Sequence, residues 1–406
     1  MDNKAKLAKI GFCAVCIFLL CYFMMLFDFP NKLTILFGSI ICLVLLIQQR
    51  KFRLDLGICL LTLTLGSYFI ILYGMPRAFT MSLPYVGLVI YVLAHYLSCE
   101  VLCQEHGENK IMILLFTMII GVTVHGLLNS YLFLDGQFQY KDTVRIWADI
   151  WKEGYMAGTW QVVYFLPALA IALPMLIYWK KHKIGNSLML IVSVFFLYIS
   201  MASESRTSVV IFAGVIFAEL LLYALLERKK IVELFKNKKV WITSAIVAGL
   251  LVLAGIVLIM SPTGQNFISI LGRNGGILNN IRFQIQRRGL EQLFVYPMGG
   301  YKMNFLGYAH SHNTWIDIAD AAGVIPFFAF VAYTFLTIYE MIRWLAKKEI
   351  STERKLIVAG IYGAFFLYYT VERGLGGSMH FMTPWFFMNG MIHGELSAIK
   401  NRKLEG

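Results

Sequence analysis

Twelve apolar runs, most of them long enough to cross a bilayer, leave this chain of 406 residues few folds to choose from. A span needs about 20 mostly apolar residues, and the candidates fall at 10–27, 33–47, 54–73, 82–98, 111–134, 161–179, 186–202, 207–226, 240–260, 314–342, 356–371 and 381–396. With 59% hydrophobic and only 15% charged residues, and a mean hydropathy of +0.68, the chain lies outside the range of soluble domains. Lipid offers no partner to a bare N–H or C=O, and the runs are too long for barrel strands. The expected class is therefore all-α, a polytopic integral membrane helix bundle of about 12 transmembrane helices with no strands.

The distribution of basic residues sets the expected orientation. A net charge of +13 would point a soluble protein toward nucleic acid. Here most of the 36 basic residues gather on one side of the spans, in the Arg228 to Lys239 cluster, Lys180, Lys181 and Lys183, Arg343 to Lys355, and both ends. That side outweighs the other by about two to one, so the positive-inside rule makes it cytoplasmic and no nucleic-acid partner is expected. The expectation is a multi-pass protein of the cytoplasmic membrane with both termini inside. Its single membrane domain, residues 1–406, has spans 1–9 within 10–260, an extracytoplasmic loop at 261–312 and spans 10–12 within 314–396. The first apolar run lacks a small-residue cleavage site and is expected to remain as a helix. None of the seven cysteines falls in an extracytoplasmic loop, and Cys13 and Cys16 sit in an apolar helix, where packing is their expected role.

One extracytoplasmic segment breaks the charge trend. Residues 261–312 carry Arg273, Arg282, Arg287, Arg288 and Lys302 where positive charge opposes insertion, and a bound anion would account for them. Leu278, Ile281, Ile285, Leu290 and Leu293 recur at helical spacing, which predicts an amphipathic helix over 278–294 with Arg282 and Gln286 on another face. Turn-rich stretches flank it, Gly272 to Gly276 and Tyr296-Pro297-Met298-Gly299-Gly300, so the helix can lie over the bundle as a lid. The loop at 135–160 carries Trp147, Trp151, Tyr155 and Trp160, which suit either sugar stacking or interfacial anchoring.

Several polar residues stand where chemistry is feasible. Arg206 opens an apolar run, which puts a guanidinium at a helix N-terminus beside unpaired backbone donors and makes an anion site. His312 closes the long loop on the same side, with an ordinary imidazole pKa of about 6.5 that suits proton transfer near neutrality. Asn313 or Thr314 is placed to cap the next helix. Asp317 and Asp320 share a face of that helix and either orient a base or serve as one. Arg77 and Arg373 are secondary anion candidates, Glu372 being the adjacent partner for Arg373. Glu219 is an ionisable residue near the centre of a span. No histidine and carboxylate cluster has metal-ligand spacing, so no metal or other cofactor is expected.

In order, Ser205-Arg206-Thr207, Arg282, Tyr296-Pro297-Met298-Gly299-Gly300, Ser311-His312-Asn313-Thr314-Trp315 and Ala322-Gly323-Val324-Ile325 resemble the O-antigen ligase and Wzy-type polysaccharide polymerase superfamily. The resemblance covers roughly residues 190–340, and Thr207 departs from a glycine often found there. It implies a metal-independent, inverting glycosyltransferase that takes glycan from an undecaprenyl pyrophosphate donor outside the cytoplasmic membrane. Arg206 and Arg282 would bind the pyrophosphate, His312 would take the acceptor proton, and His310 is the fallback base. Arg77, Arg287, Arg288, His310, Asn313, Asp317 and Arg373 complete the expected substrate-binding set. The implied reaction is polymerisation of lipid-linked repeat units into O-antigen or capsular polysaccharide, with a chain-length regulator as a further partner. Ligase-type transfer to lipid A core, protein or another acceptor is the alternative, and a flippase the reading from a different class.

Overall fold

The computed structural model describes residues 2–26, 55–73, 95, 108–141, 144–151, 155–236, 260–261, 264–265, 268–269, 281–374 and 382–405. In chain order the helices are α1 (Asp2–Phe23), α2 (Leu56–Tyr73), α3 (Glu108–Leu134), α4 (Gly158–Ala170), α5 (Ala172–Ile177), α6 (Lys183–Ala202), α7 (Arg206–Leu226), α8 (Arg228–Lys236), α9 (Ile281–Gln292), α10 (Thr314–Ala322), α11 (Val324–Leu345), α12 (Thr352–Val371) and α13 (Thr383–Glu405). Among the described residues, five stretches are long and apolar enough to cross a membrane: Ile111–Leu134, Gly158–Ile177, Lys183–Ala202, Arg206–Leu226 and Val324–Leu345. The chain is a helical membrane protein. The expected spans 33–47, 82–98 and 240–260 lie outside the described residues, apart from His95 and Met260.

The spanning helices divide by what covers them. In the apolar window of α4 and α5, 72% of the residues are buried by other helices, against 17% for α7. So α4 is the centre of the bundle, touching α3, α6, α7 and α12, while α7 packs on α12 and α4 and turns its remaining surface to lipid. Pro174 has no N–H to give the Ala170 carbonyl four residues back, and the helix breaks at Ile171 between α4 and α5.

Two expectations are corrected. The sequence predicts no strand, yet three short segments form a small antiparallel sheet, β1 (Phe138–Lys141), β2 (Val144–Ala148) and β3 (Tyr155–Ala157), in the order β1-β2-β3. The prohibition on open sheet edges holds only in hydrocarbon, and this sheet lies in a loop between spans. It is fastened to the bundle by a buried polar knot. His125 Nε2 lies 3.0 Å from Asp149 Oδ2, Asn129 Nδ2 donates to Gln161 Oε1 at 2.9 Å, and Ile150 N donates to Asn129 Oδ1 at 2.9 Å. Trp147 is fully buried and stacks on Phe133 with ring centroids 4.4 Å apart, which makes it a core residue and removes it from sugar stacking. The Trp151 indole donates to the Met24 carbonyl at 3.0 Å.

The second correction concerns 314–342, predicted as one helix. Gly323 interrupts it with φ +84° and ψ −163°, a conformation accessible in practice to glycine alone, and divides α10 from α11. The cause is a distant turn. Pro297 O accepts from Val324 N at 2.9 Å, Gly300 N donates to Ala321 O at 3.0 Å, and Tyr301 N donates to Asp320 O at 2.8 Å. Asp320 also accepts from Met303 N at 3.0 Å, so this carboxylate fixes the loop. The Pro-Met-Gly-Gly turn and the Gly-Val pair are thus two halves of one backbone clasp.

A β-carbon on Gly323 would stand 2.1 Å from Pro297 O, and one on Gly299 2.6 Å from Ala322 N. Gly323→Ala therefore costs about 1–3 kcal/mol in backbone strain alone, before the clash is counted. Thermal unfolding in detergent should show a lower melting temperature for this variant than for Gly363→Ala, where no atom lies within 4 Å of the added carbon.

Candidate functional site

Helix α7 starts at the residue where the chain leaves polar sequence. Ser205 is extended, its hydroxyl pairs with Ser208 Oγ at 3.0 Å, and it makes no side-chain cap to the first-turn amides. Arg206 follows, and Glu204 at φ +62° makes the sharp turn out of α6. A cavity of about 410 Å³ opens beside this helix start. Arg206, Arg282, Glu204, Thr207, Gln286 and Thr370 form its polar lining, and Val210, Ile211, Gly214, Phe283 and Leu367 its apolar wall. Arg206 and Arg282, 76 positions apart in the sequence, share one chamber.

What holds Arg282 there is the end of α12. The last carbonyls of a helix have no intrahelical donor, and side chains from elsewhere supply them here. Arg282 Nη1 donates to Val371 O at 2.8 Å, Gln286 Nε2 to Thr370 O at 3.0 Å, and Asn313 Nδ2 to the same Thr370 carbonyl at 3.1 Å. Helix α9 is seated over α10 by a satellite core of Ile285, Leu293, Met303, Phe305, Ile316, Ala319 and Phe327. The amphipathic helix predicted at 278–294 is observed as α9, with Arg282 and Gln286 on the face that meets α12.

Glu372 links this chamber to the histidines. It caps α12 in an extended conformation, φ −140° and ψ 157°. Its carboxylate, 1% exposed, lies 2.9 Å from Arg282 Nη2 and 3.6 Å from His312 Nδ1. The first distance is an ion pair; the second is too long for a hydrogen bond and is an electrostatic contact. Burial alone would push the Glu372 carboxyl up, but contact with His312 and the charge of Arg282 outweigh it and hold it below the ordinary carboxylate value. The expected pairing of Glu372 with Arg373 is replaced by one with Arg282 and His312.

His312 occupies the left-handed region at φ +55°, and Gln286 Nε2 reaches its carbonyl at 3.3 Å. It adjoins the cavity through Glu372 without lining it. His310 stacks obliquely on it, with ring centroids 4.2 Å apart. Burial, then the charges of His312 and Arg373, push the His310 imidazole down to about 4. At neutral pH His310 is uncharged and a weak base, which disfavours it as the proton acceptor.

The remaining expected site residues separate into supports and bystanders. Asp317 is buried and accepts from Ser311 N and Ser311 Oγ, both at 2.8 Å, so it shapes the loop that carries the histidines. Asn313 caps α10 by accepting from Ile316 N at 3.1 Å. Arg373 turns its charge toward His310 and Asp317. Arg287 and Arg288, expected to bind substrate, face away from the cavity and pair with Glu291 at 3.1 and 3.3 Å. They form a solvated basic face, because α9 offers one face to α12 and these residues fall on the other. Arg77 lies outside the described residues. Among the described residues no group of three or more His, Cys, Asp and Glu side chains is arranged to hold a metal ion.

Glu372 is the functional candidate that the sequence pattern left unassigned, and an acid just beyond an apolar span on the arginine side was its one visible signal. Chemically, two guanidinium groups suit a diphosphate, which accepts charge-assisted hydrogen bonds at several oxygens. A carboxylate against an imidazole Nδ1 leaves Nε2 to take a proton. No protein-family model matches this chain, and no curated protein resembles it closely enough to count as a match.

The lowered His310 value fixes a pH dependence. The unfolded imidazole, near 6.5, binds more protons than the folded one, so stability is complete above that value and falls as pH drops toward about 4. Melting temperatures across this window should decline in the wild type and decline less in His310→Asn.

Proposed function

We propose that this protein is a glycosyltransferase that polymerises undecaprenyl-pyrophosphate-linked repeat units on the extracytoplasmic face of the cytoplasmic membrane. The observation that carries this is the single chamber shared by Arg206 and Arg282, with Glu372 coupling Arg282 to His312. Arg206 and Arg282 bind the pyrophosphate and stabilise the charge that grows on it as the glycosidic bond breaks. The apolar wall of Val210, Ile211, Gly214 and Leu367 accepts the first isoprene units of a carrier lipid, and α7, exposed along its length, gives that lipid a way in from the bilayer.

His312 takes the proton from the acceptor hydroxyl as its oxygen attacks C1. The proton ends on Nε2, the electron pair of the C1–O bond leaves with the lipid pyrophosphate, and single displacement inverts the anomeric centre. Glu372 orients the imidazole and stabilises the imidazolium that forms, while the arginines supply the charge that a bound metal would otherwise provide. A second lipid-linked repeat is the preferred acceptor, and a chain-length regulator is the expected protein partner. A flippase would need its ionisable groups near the bilayer midplane; here the convergent arginines and histidine gather at one end of the helices, with Glu219 an exception.

Proteoliposomes supplied with lipid-linked repeat units as the sole sugar source provide the test. A polymerase makes ladders from donor alone, whereas a ligase needs another acceptor added. His312→Ala should lower the rate by about 10²–10⁴-fold, the usual contribution of a positioned general base. Arg206→Ala and Arg282→Ala should leave lipid-linked single repeats unconsumed. Wild-type ladders from His312→Ala would overturn the assignment. Glu372→Gln should lower kcat, because it weakens the base at His312, and should also change the KM for donor, because the same carboxylate pairs with Arg282.

A further inference from the structure

Well below the cavity, α7 carries a carboxyl that the proposed reaction does not use. Glu219 lies roughly 20 Å along the helix from Arg206 at 1.5 Å per residue, deep in a hydrocarbon core about 30 Å thick. Its side chain is 1% exposed, and neither carboxyl oxygen has a hydrogen-bond partner in the structure. It points into the junction of α4, α7 and α12. Gly360 of α12 makes room there, since a β-carbon at that position would stand 2.1 Å from Glu219 Oε1 and 2.6 Å from the Ala170 carbonyl oxygen.

Two oxygens therefore converge on the same small notch. The Ala170 carbonyl is the one that Pro174 denies its intrahelical donor, so it is an acceptor in need of a hydrogen. Two oxygen acceptors bordering one notch in apolar surroundings repel unless a proton lies between them. An ionised carboxylate without a counter-charge is also strongly disfavoured at this depth. A neutral carboxyl meets both demands, because it carries no charge and has one O–H to give.

We infer that Glu219 is a proton-binding site within the membrane: its carboxyl is held neutral and directs its O–H at the Ala170 carbonyl, clamping α7 to the α4–α5 break across Gly360. The clamp joins the same three helices whose far ends, through Thr159, Arg206 and Leu367, line the cavity. It sets the spacing of that chamber from below. The inference stands on the helix junction and is independent of the transfer reaction proposed above.

Infrared difference spectroscopy of the protein in bilayers at neutral pH reads the proton directly. Subtracting Glu219→Gln from wild type should leave one positive carbonyl band of a protonated carboxyl and no change in the ionised carboxylate bands. The subtraction against Glu219→Leu should show the same band, so whichever variant folds suffices. A lost carboxylate band in its place overturns the inference. Melting temperatures test the clamp: Gln, whose amide can still donate to Ala170, should stay near wild type, whereas Leu should fall clearly below it. A Leu variant as stable as the Gln variant would contradict the hydrogen bond to Ala170.

Discussion

A buried carboxylate at the end of α12 is the interaction on which the candidate site depends. Glu372 faces Arg282 and His312 from one position, and each of the three is placed by a different part of the chain. Removing the carboxylate would take away the ion pair that Arg282 makes at 2.9 Å and the contact that faces His312. The same residue accepts from Thr314 Oγ1 through its carbonyl at 3.0 Å, and that hydroxyl in turn receives Gly374 N at 2.9 Å. The end of α12 is thereby tied to the start of α10.

The arrangement reuses an ordinary obligation of helices. The final carbonyls of α12 need donors, and the chain provides Arg282, Gln286 and Asn313. Capping therefore docks α9 and brings a guanidinium into a chamber whose other arginine stands at the first turn of α7. A helix C-terminus and a helix N-terminus meet there, so the local field would be contradictory without the arginines. With them, two guanidinium groups line the chamber, and Glu372 pairs with one of them.

The parts legible in the sequence are those that bilayer physics dictates locally. The spans at 111–134 and 207–226 correspond closely to α3 and α7, because a run of apolar residues bounded by polar ones has few alternatives in lipid. Arg206 at a helix start and α9 with its Arg282 and Gln286 face followed from the same local patterns. What escaped the sequence depends on distant backbone. The break at Gly323 needs Pro297 to approach a residue 26 positions away, and nothing in the 314–342 pattern announces it. Glu372 and Arg373 look like neighbours that pair, but Glu372 pairs with Arg282, 90 positions away in the chain. Arg287 and Arg288 raise the charge of the loop without entering the chamber, since charge counts ignore which face of a helix is covered.

The central claim is that two arginines from separate helices receive one diphosphate beside an imidazole. A cryo-EM structure of the protein with undecaprenyl pyrophosphate in nanodiscs tests this most directly. The account predicts the diphosphate between the Arg206 and Arg282 guanidinium groups, its isoprene chain along Val210 and Gly214, and His312 on the sugar-bearing side. Diphosphate bound away from either arginine, or a chamber that stays empty at saturating lipid, would contradict it.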